Sequence, residues 1–280
     1  MSTNILGVIL ALISAVLYGT GDFSGGLASR RAHPFQVLLL SSSSSIFLAI
    51  ILFFIRPEAV MSTRDLFYAA VAGFVGAAGL ILLFRGLSSG SAAVVAPTSG
   101  VVAAALPALA GIFLDGFPRR LTMGGFFLAF LGIWLVTHSK DDRNGNTKKG
   151  LLLGTLAGTG FGGYYVLIVQ VSENNLILPL LVVKIAAFIL AFALLSFNRY
   201  KIPSVKGNGL ALMSGIFDFS ANGFYMVATY LTRMDVAAVL SSLFPAATVF
   251  LSMTILKEKI NGGQWLGVMF CIAAIAMIVL

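Results

Sequence analysis

Two ionisable side chains stand inside stretches that otherwise carry none. Lys184 lies about a third of the way along an apolar run near residues 177–197, and Asp218 lies near the middle of a run at 208–230. An ionised group deep in hydrocarbon costs at least about 2.5–3.5 kcal/mol, so it faces a cavity or a partner. Ser214, Asp218, Asn222 and Tyr225 follow at i, i+4, i+8 and i+11, a single stripe on a helix. A polar stripe on an apolar helix points inward. Two chemistries fit these residue types and spacings. In one, Asp218 takes a proton or a substrate amine and Lys184 takes a substrate carboxylate. In the other, Lys184 and Asp218 pair with each other and close a helix bundle. The two are compatible, because a pair can break and re-form as a protein changes state.

Tyr18 stands one turn after Ser14 and one turn before Asp22, on one helical face near the start of the chain. Gly25-Gly26 follows, which puts Asp22 near the end of its helix, where it either gates an opening or serves as a cap. Tyr164 and Tyr165 come about two-thirds along another run and either line a cavity or pack. Before them Gly154, Gly158 and Gly162 recur every fourth residue, a small-residue stripe that predicts close helix contact. Ser41–Ser45 is an unusual run at bilayer depth; its hydroxyls can bond back to their own helix and join neighbouring helices. Pro97, Pro107 and Pro245 each remove a backbone hydrogen bond within an apolar run, which kinks a helix or gives it a hinge.

The elements that must position these residues follow from composition. The chain has 280 residues, 59% of them hydrophobic and 10% charged, against about 25% charged in a soluble domain. Lipid must be the solvent for most of it. A bilayer core of about 30 Å takes about 20 residues of helix, and runs of that size lie near 4–26, 35–55, 65–86, 92–114, 121–138, 150–171, 177–197, 208–230, 236–256 and 262–280. Polar breaks separate them, among them Arg30-Arg31-Ala32-His33-Pro34, Arg56-Pro57-Glu58 and Lys257-Glu258-Lys259, the last read as an interfacial turn. Met1–Asn4 lacks the basic segment of a secretory signal, so residues 5–18 read as the first helix.

The net charge of +8 comes from cations in short gaps between apolar runs, with no basic stretch interleaved with aromatics, which excludes nucleic acid as a partner. The single Cys271 allows no intramolecular disulfide. His33 and His138 sit at helix ends with no metal-site spacing, and no phosphate-cradling Gly-x-x-x-x-Gly-Lys-Ser/Thr occurs. The sequence therefore predicts no cofactor, no metal, no enzyme constellation and no ATP drive.

The runs fall into two related sets of five. Leu6-Gly7, Leu10-Ala11 and Tyr18 are echoed by Leu153-Gly154, Leu156-Ala157 and Tyr165; Gly73 matches Gly215 at an offset of 142, which also pairs Leu114 with Leu256 and Gly125 with Gly267. Residues 1–138 form the first half, 139–149 a polar linker and 150–280 the second half. Five is odd, so the second half enters the membrane inverted, and inverted repeats carry their site near the midplane where the repeats meet. The loop cations divide unequally. Arg30, Arg31, Arg85, Lys140, Arg143, Lys148, Lys149, Arg199, Lys201, Lys206, Lys257 and Lys259 lie on one side, against Arg56, Arg64, Arg119, Arg120 and Arg233 on the side of the termini. The positive-inside rule then favours external termini.

The pattern resembles the drug/metabolite transporter superfamily in its bacterial form with two EamA-type domains. The resemblance rests on the Gly7-x-x-x-Ala11 opening that leads to Tyr18 and its small-residue echo from Gly154 to Tyr165, on Ala92-Ala93-Val94 and Ala237-Ala238-Val239, and on Leu243-Phe244-Pro245 through Lys257-Glu258-Lys259 to Gln264-Trp265-Leu266-Gly267. The first half departs from that closing motif, with Asp115-Gly116 where an acid is expected at Gly116. The resemblance implies ten transmembrane helices, a central cavity, cytoplasmic termini, prolines acting as hinges, and a multi-pass protein of a bacterial plasma membrane. The expected protein is an all-α secondary transporter that exports amino acids or amphipathic metabolites by alternating access. Its cavity, lined by the first, third, sixth and eighth spans, holds Tyr18, Tyr164, Tyr165, Lys184, Asp218, Asn222 and Tyr225. Its partners are a small-molecule substrate, membrane lipids and a coupling proton. A lipid flippase, a non-transporting subunit and an intramembrane enzyme are the other readings.

Overall fold

The computed structural model describes residues 2–88, 92–137, 147–256 and 262–279. Among the described residues all regular structure is helical, which lipid dictates: hydrocarbon offers backbone groups no partner, and a helix satisfies them internally. The helices are α1 (Ser2–Ala28), α2 (Pro34–Ile55), α3 (Thr63–Ser88), α4 (Ala92–Asp115), α5 (Arg120–Thr137), α6 (Thr147–Ile168), α7 (Ile177–Phe197), α8 (Gly209–Leu231), α9 (Met234–Ser241), α10 (Phe244–Leu256) and α11 (Gly262–Val279). The predicted linker lies almost wholly outside the described residues, as do His138 and Lys257-Glu258-Lys259. Of the linker, Thr147, Lys148 and Lys149 are described, in the first turn of α6.

These helices make ten spans. The sequence reads 236–256 as one apolar run kinked or hinged at Pro245; in the structure this ninth span is broken outright into α9 and α10 at Ser242-Leu243. Pro245 is the physical reason. It has no N–H for the carbonyl four residues back, and its ring crowds that carbonyl, which belongs to Ser241, the last residue of α9. Among the described residues five helices, α1, α2, α3, α6 and α7, are long and apolar enough to cross a membrane by length and composition alone. The 23-residue α8 is diluted by its polar stripe. Outward-facing side chains are apolar, with Phe54, Phe113, Phe127 and Met269 all exposed, as lipid requires.

The packing has two-fold character. α1 packs on α8 as α6 packs on α3, and α2 packs on α8 as α7 packs on α3. α4 meets α6 as the broken span α9/α10 meets α1, while the pairs α2–α7 and α5–α11 map onto themselves. Exchanging each span with the one five places later reproduces every one of these partnerships. The exchange also holds at single residues. A Cβ on Gly73 of α3 would stand 2.6 Å from the Val183 carbonyl and 2.8 Å from Ala186 Cβ on α7. A Cβ on Gly215 of α8 would overlap the Ser41 carbonyl and the Ser44 hydroxyl on α2. Each member of the second contact is 142 residues from its mate in the first. Two five-span repeats related in this way are inverted in the membrane.

Small and hydroxylic residues make these close approaches. Ser44 Oγ donates to the Leu212 carbonyl at 2.8 Å and Ser45 Oγ to the Gly215 carbonyl at 2.7 Å, joining α2 to α8. Ser42 and Ser43 bond back within α2. The serine run is thus an interhelical seam. Gly154, Gly158 and Gly162 of α6 lie against Thr98, Ser99, Val102 and Leu106 of α4, with room for no side chain.

Candidate functional site

A narrow cavity lies where the halves meet. It takes Tyr18 and Asp22 from α1, Ser41 and Ser42 from α2, Gly73, Gly76 and Leu80 from α3, Tyr164 and Tyr165 from α6, Lys184 from α7, Asp218 and Asn222 from α8, and Phe244 from α10. The sequence expects the first, third, sixth and eighth spans to line it. The second, seventh and ninth do so as well, because α2 and α7 pack on each other across the two-fold relation and the break before Phe244 turns that ring inward. The space open to water in the cavity is about 50 Å³, enough for a few molecules at about 10–15 Å³ each.

Polar groups in the cavity form one network. Lys184 Nζ donates to Asp218 Oδ2, and the lysine side chain is 6% exposed against 19% for the aspartate. Asn222 Nδ2 donates to Asp218 Oδ1 at 3.1 Å, and Tyr18 Oη donates to Asn222 Oδ1 at 2.8 Å. α1, α7 and α8 are therefore tied by a single chain of bonds that ends on one carboxylate. A buried ion pair adds little net stability over apolar packing, but removing one partner strands the other.

Tyrosines close the cavity toward the face that carries the N-terminus. Tyr165 stands 6.1 Å from Tyr18, 5.8 Å from Tyr164 and 4.5 Å from Tyr225, ring centre to ring centre. Toward the opposite face lies an apolar layer of Ala28, Val37, Leu40, Phe84 and Ala211.

Of the residues singled out from sequence, Tyr18, Tyr164, Tyr165, Lys184, Asp218 and Asn222 come together around this cavity. Tyr225 stands behind Tyr165, fully buried, with its hydroxyl on the Tyr165 carbonyl at 3.3 Å. Pro107 is buried inside the continuous α4, Pro97 lies in the same helix, and Pro245 is the second residue of α10. Ser42 is legible only as part of the serine run and Phe244 only as part of a closing motif, while Gly76 and Leu80 carry no signal until their helix is placed. Asp22 was seen but read as near a helix end. In fact α1 runs on to Ala28, which puts Asp22 six residues inside it.

Comparison with known proteins agrees with this architecture. The model of the EamA-like transporter family matches residues 5–138 and again residues 148–280. An uncharacterized protein of Methanocaldococcus jannaschii is 30% identical over 132 residues, which make up 47% of this chain and 96% of that protein. A solved crystal structure shares the fold with a TM-score of 0.74, across 97% of this chain and 95% of its own, at 15% identity. The chain thus belongs to the EamA-like transporter family and is a membrane transporter of the drug/metabolite superfamily.

Proposed function

We propose that this protein is a secondary exporter of small metabolites such as amino acids or amphipathic compounds, working by alternating access around the cavity between its halves. The halves are residues 1–138 and 150–280, joined by 139–149. The observation that carries the reading is the Lys184–Asp218 pair, buried in a cavity and bonded through Asn222 to Tyr18. A charged network at this depth is costly, and a cavity that must open and close gives it a use. When the pair opens, Asp218 takes the coupling proton and Lys184 the carboxylate of the substrate. Tyr164, Tyr165 and Tyr225 form the closing layer on the N-terminal face. Pro97, Pro107 and Pro245 serve as hinges, the last at the break of the ninth span.

Counterflow of labelled solutes in proteoliposomes tests this. Wild type is expected to show saturable flux, and Asp218→Asn and Lys184→Ala to lose at least about ten-fold, equivalent to about 1.4 kcal/mol. Normal flux in both variants would remove the site assignment, and no saturable flux of any solute in wild type would remove the transport mechanism.

A further inference from the structure

The cavity holds one carboxyl group that the network leaves unanswered. Asp218 is met by Lys184 from α7 and by Asn222 from its own helix. Asp22, on α1, lines the same cavity, yet among the described residues no hydrogen-bond donor and no cation meets its carboxylate. The groups facing it are Asp218 from α8, Lys184 from α7, already paired, and the phenols Tyr164 and Tyr165 from α6. α3 and α2 present Gly73, Gly76, Leu80 and the serines, and α10 presents Phe244. With Lys184 and Asp218 paired, the Asp22 carboxyl is left without a partner in the cavity among the described residues.

An uncompensated carboxylate in a protein interior costs several kcal/mol, and a cation brought beside it recovers that cost. The walls also favour a cation. The rings of Tyr18, Tyr164 and Tyr165 border the same space, and a ring face attracts an ammonium by about 0.5–2 kcal/mol. The carboxylate oxygens, having no donor, need N–H groups from whatever enters.

We infer that Asp22 is the charge-selecting residue of the cavity: it receives a protonated amine, so that solutes bearing an ammonium group bind and their anionic analogues do not. This rests on the transport reading above and adds a selectivity to the same cavity.

The test uses purified full-length protein in detergent at pH 7, titrated calorimetrically with n-butylamine, n-butanol and butyrate. Wild type is expected to bind n-butylamine at least about ten-fold tighter than either analogue. Asp22→Asn is expected to lose that preference while keeping the wild-type affinity for n-butanol, and Asp22→Glu to retain it. A preference that survives Asp22→Asn, tighter binding of butyrate, or no binding of n-butylamine by folded wild type would overturn the proposal. The flux assay separates the two ideas. Intact flux with no role for Asp22 overturns only the selectivity. Asp22-dependent binding without any flux overturns only the transport mechanism.

Discussion

The two halves share a packing scheme but not a chemistry. At the offset of 142 that superimposes the contacts of Gly73 and Gly215, Lys184 corresponds to Ser42, Asp218 to Gly76 and Asn222 to Leu80. All six residues line the cavity. The first half therefore offers a hydroxyl, a gap and an apolar wall where the second offers an ion pair and an amide. Tyr18 and Tyr165, at equivalent places in α1 and α6, are the exception and meet across the cavity. The inverted repeat sets how the spans pack, while the ion pair stands in the second half alone and Asp22, in the first, lines the same cavity without a partner among the described residues.

The largest expected effect comes from breaking the asymmetric pair. Lys184→Ala leaves Asp218 without its cation and should cost about 3–5 kcal/mol in unfolding. Ser42→Ala, its counterpart, should cost no more than about 1 kcal/mol, the usual worth of one hydroxyl bond. Chemical denaturation in mixed micelles gives both values. Lys184→Met combined with Asp218→Leu should recover most of the loss while remaining inactive in flux. Next in size are the shared contacts. Gly215→Ala and Gly73→Ala should each cost about 1–3 kcal/mol through overpacking, with Gly215 the worse because its Cβ would overlap a carbonyl. Equal costs at the two glycines would mean that the serine seam yields where the α3–α7 contact does not.

The two ends of the α2–α7 pair sharpen the comparison. At the N-terminal face, α7 has no side-chain cap of its own. Glu58, from the α2–α3 connection, supplies one: its carboxylate accepts from the backbone N–H groups of Leu176, Ile177 and Leu178, all at 2.9 Å. Asp65 adds a bond from Ser172 Oγ at 2.6 Å. At the opposite face the start of α2 is capped locally by His33, whose Nδ1 accepts from Phe35 N, while Tyr200 stacks on its ring at 4.2 Å and Gln36 donates to the Lys201 carbonyl at 2.8 Å. One end is held by charge, the other by rings. Glu58→Ala should therefore destabilise by about 1–2 kcal/mol, the range for a lost cap with its charge, measurable by thermal unfolding in detergent.

The smallest effect is a pH dependence at the opposite face. Burial, and then the nearby Arg85 guanidinium, hold the His33 imidazole below its ordinary value. The unfolded chain thus binds a proton more readily than the folded one as pH falls through about 6.5, so His33 withdraws stability as the solution becomes more acidic. Protonation also removes the lone pair that caps α2. His33→Asn, a capping residue that does not titrate, should flatten the fall in melting temperature between pH 7.5 and 5.5.

Much of this was legible from the sequence because lipid makes the code simple. Runs of about 20 apolar residues gave the spans, and Lys184, Asp218 and Asn222 were conspicuous because polar groups are expensive there. Pro245 signals a kink or hinge in the ninth span, but not the full break at Ser242-Leu243, since a proline within an apolar run does not say which side of it unwinds. Ser42 and Gly76 carry no signal as site residues, because only the packing of α2 on α7 and of α3 on α6 and α7 brings them into the cavity. Asp22 reads as close to a helix end because the apolar run stops near residue 26, whereas α1 continues to Ala28. Glu58 sits in a connection, where its reach to α7 depends on tertiary packing.

The central claim is that the Lys184–Asp218 pair of the second half drives transport through a cavity that both halves build. Initial flux in proteoliposomes, measured side by side for Asp218→Asn and for Gly76→Ala at the equivalent place, tests it most directly. Gly76 has ordinary contact room for a Cβ, 3.4 Å from the nearest atoms of Tyr164. The account predicts a loss of at least about ten-fold for Asp218→Asn with most of the flux kept by Gly76→Ala. Equal losses, or none in Asp218→Asn, would contradict it.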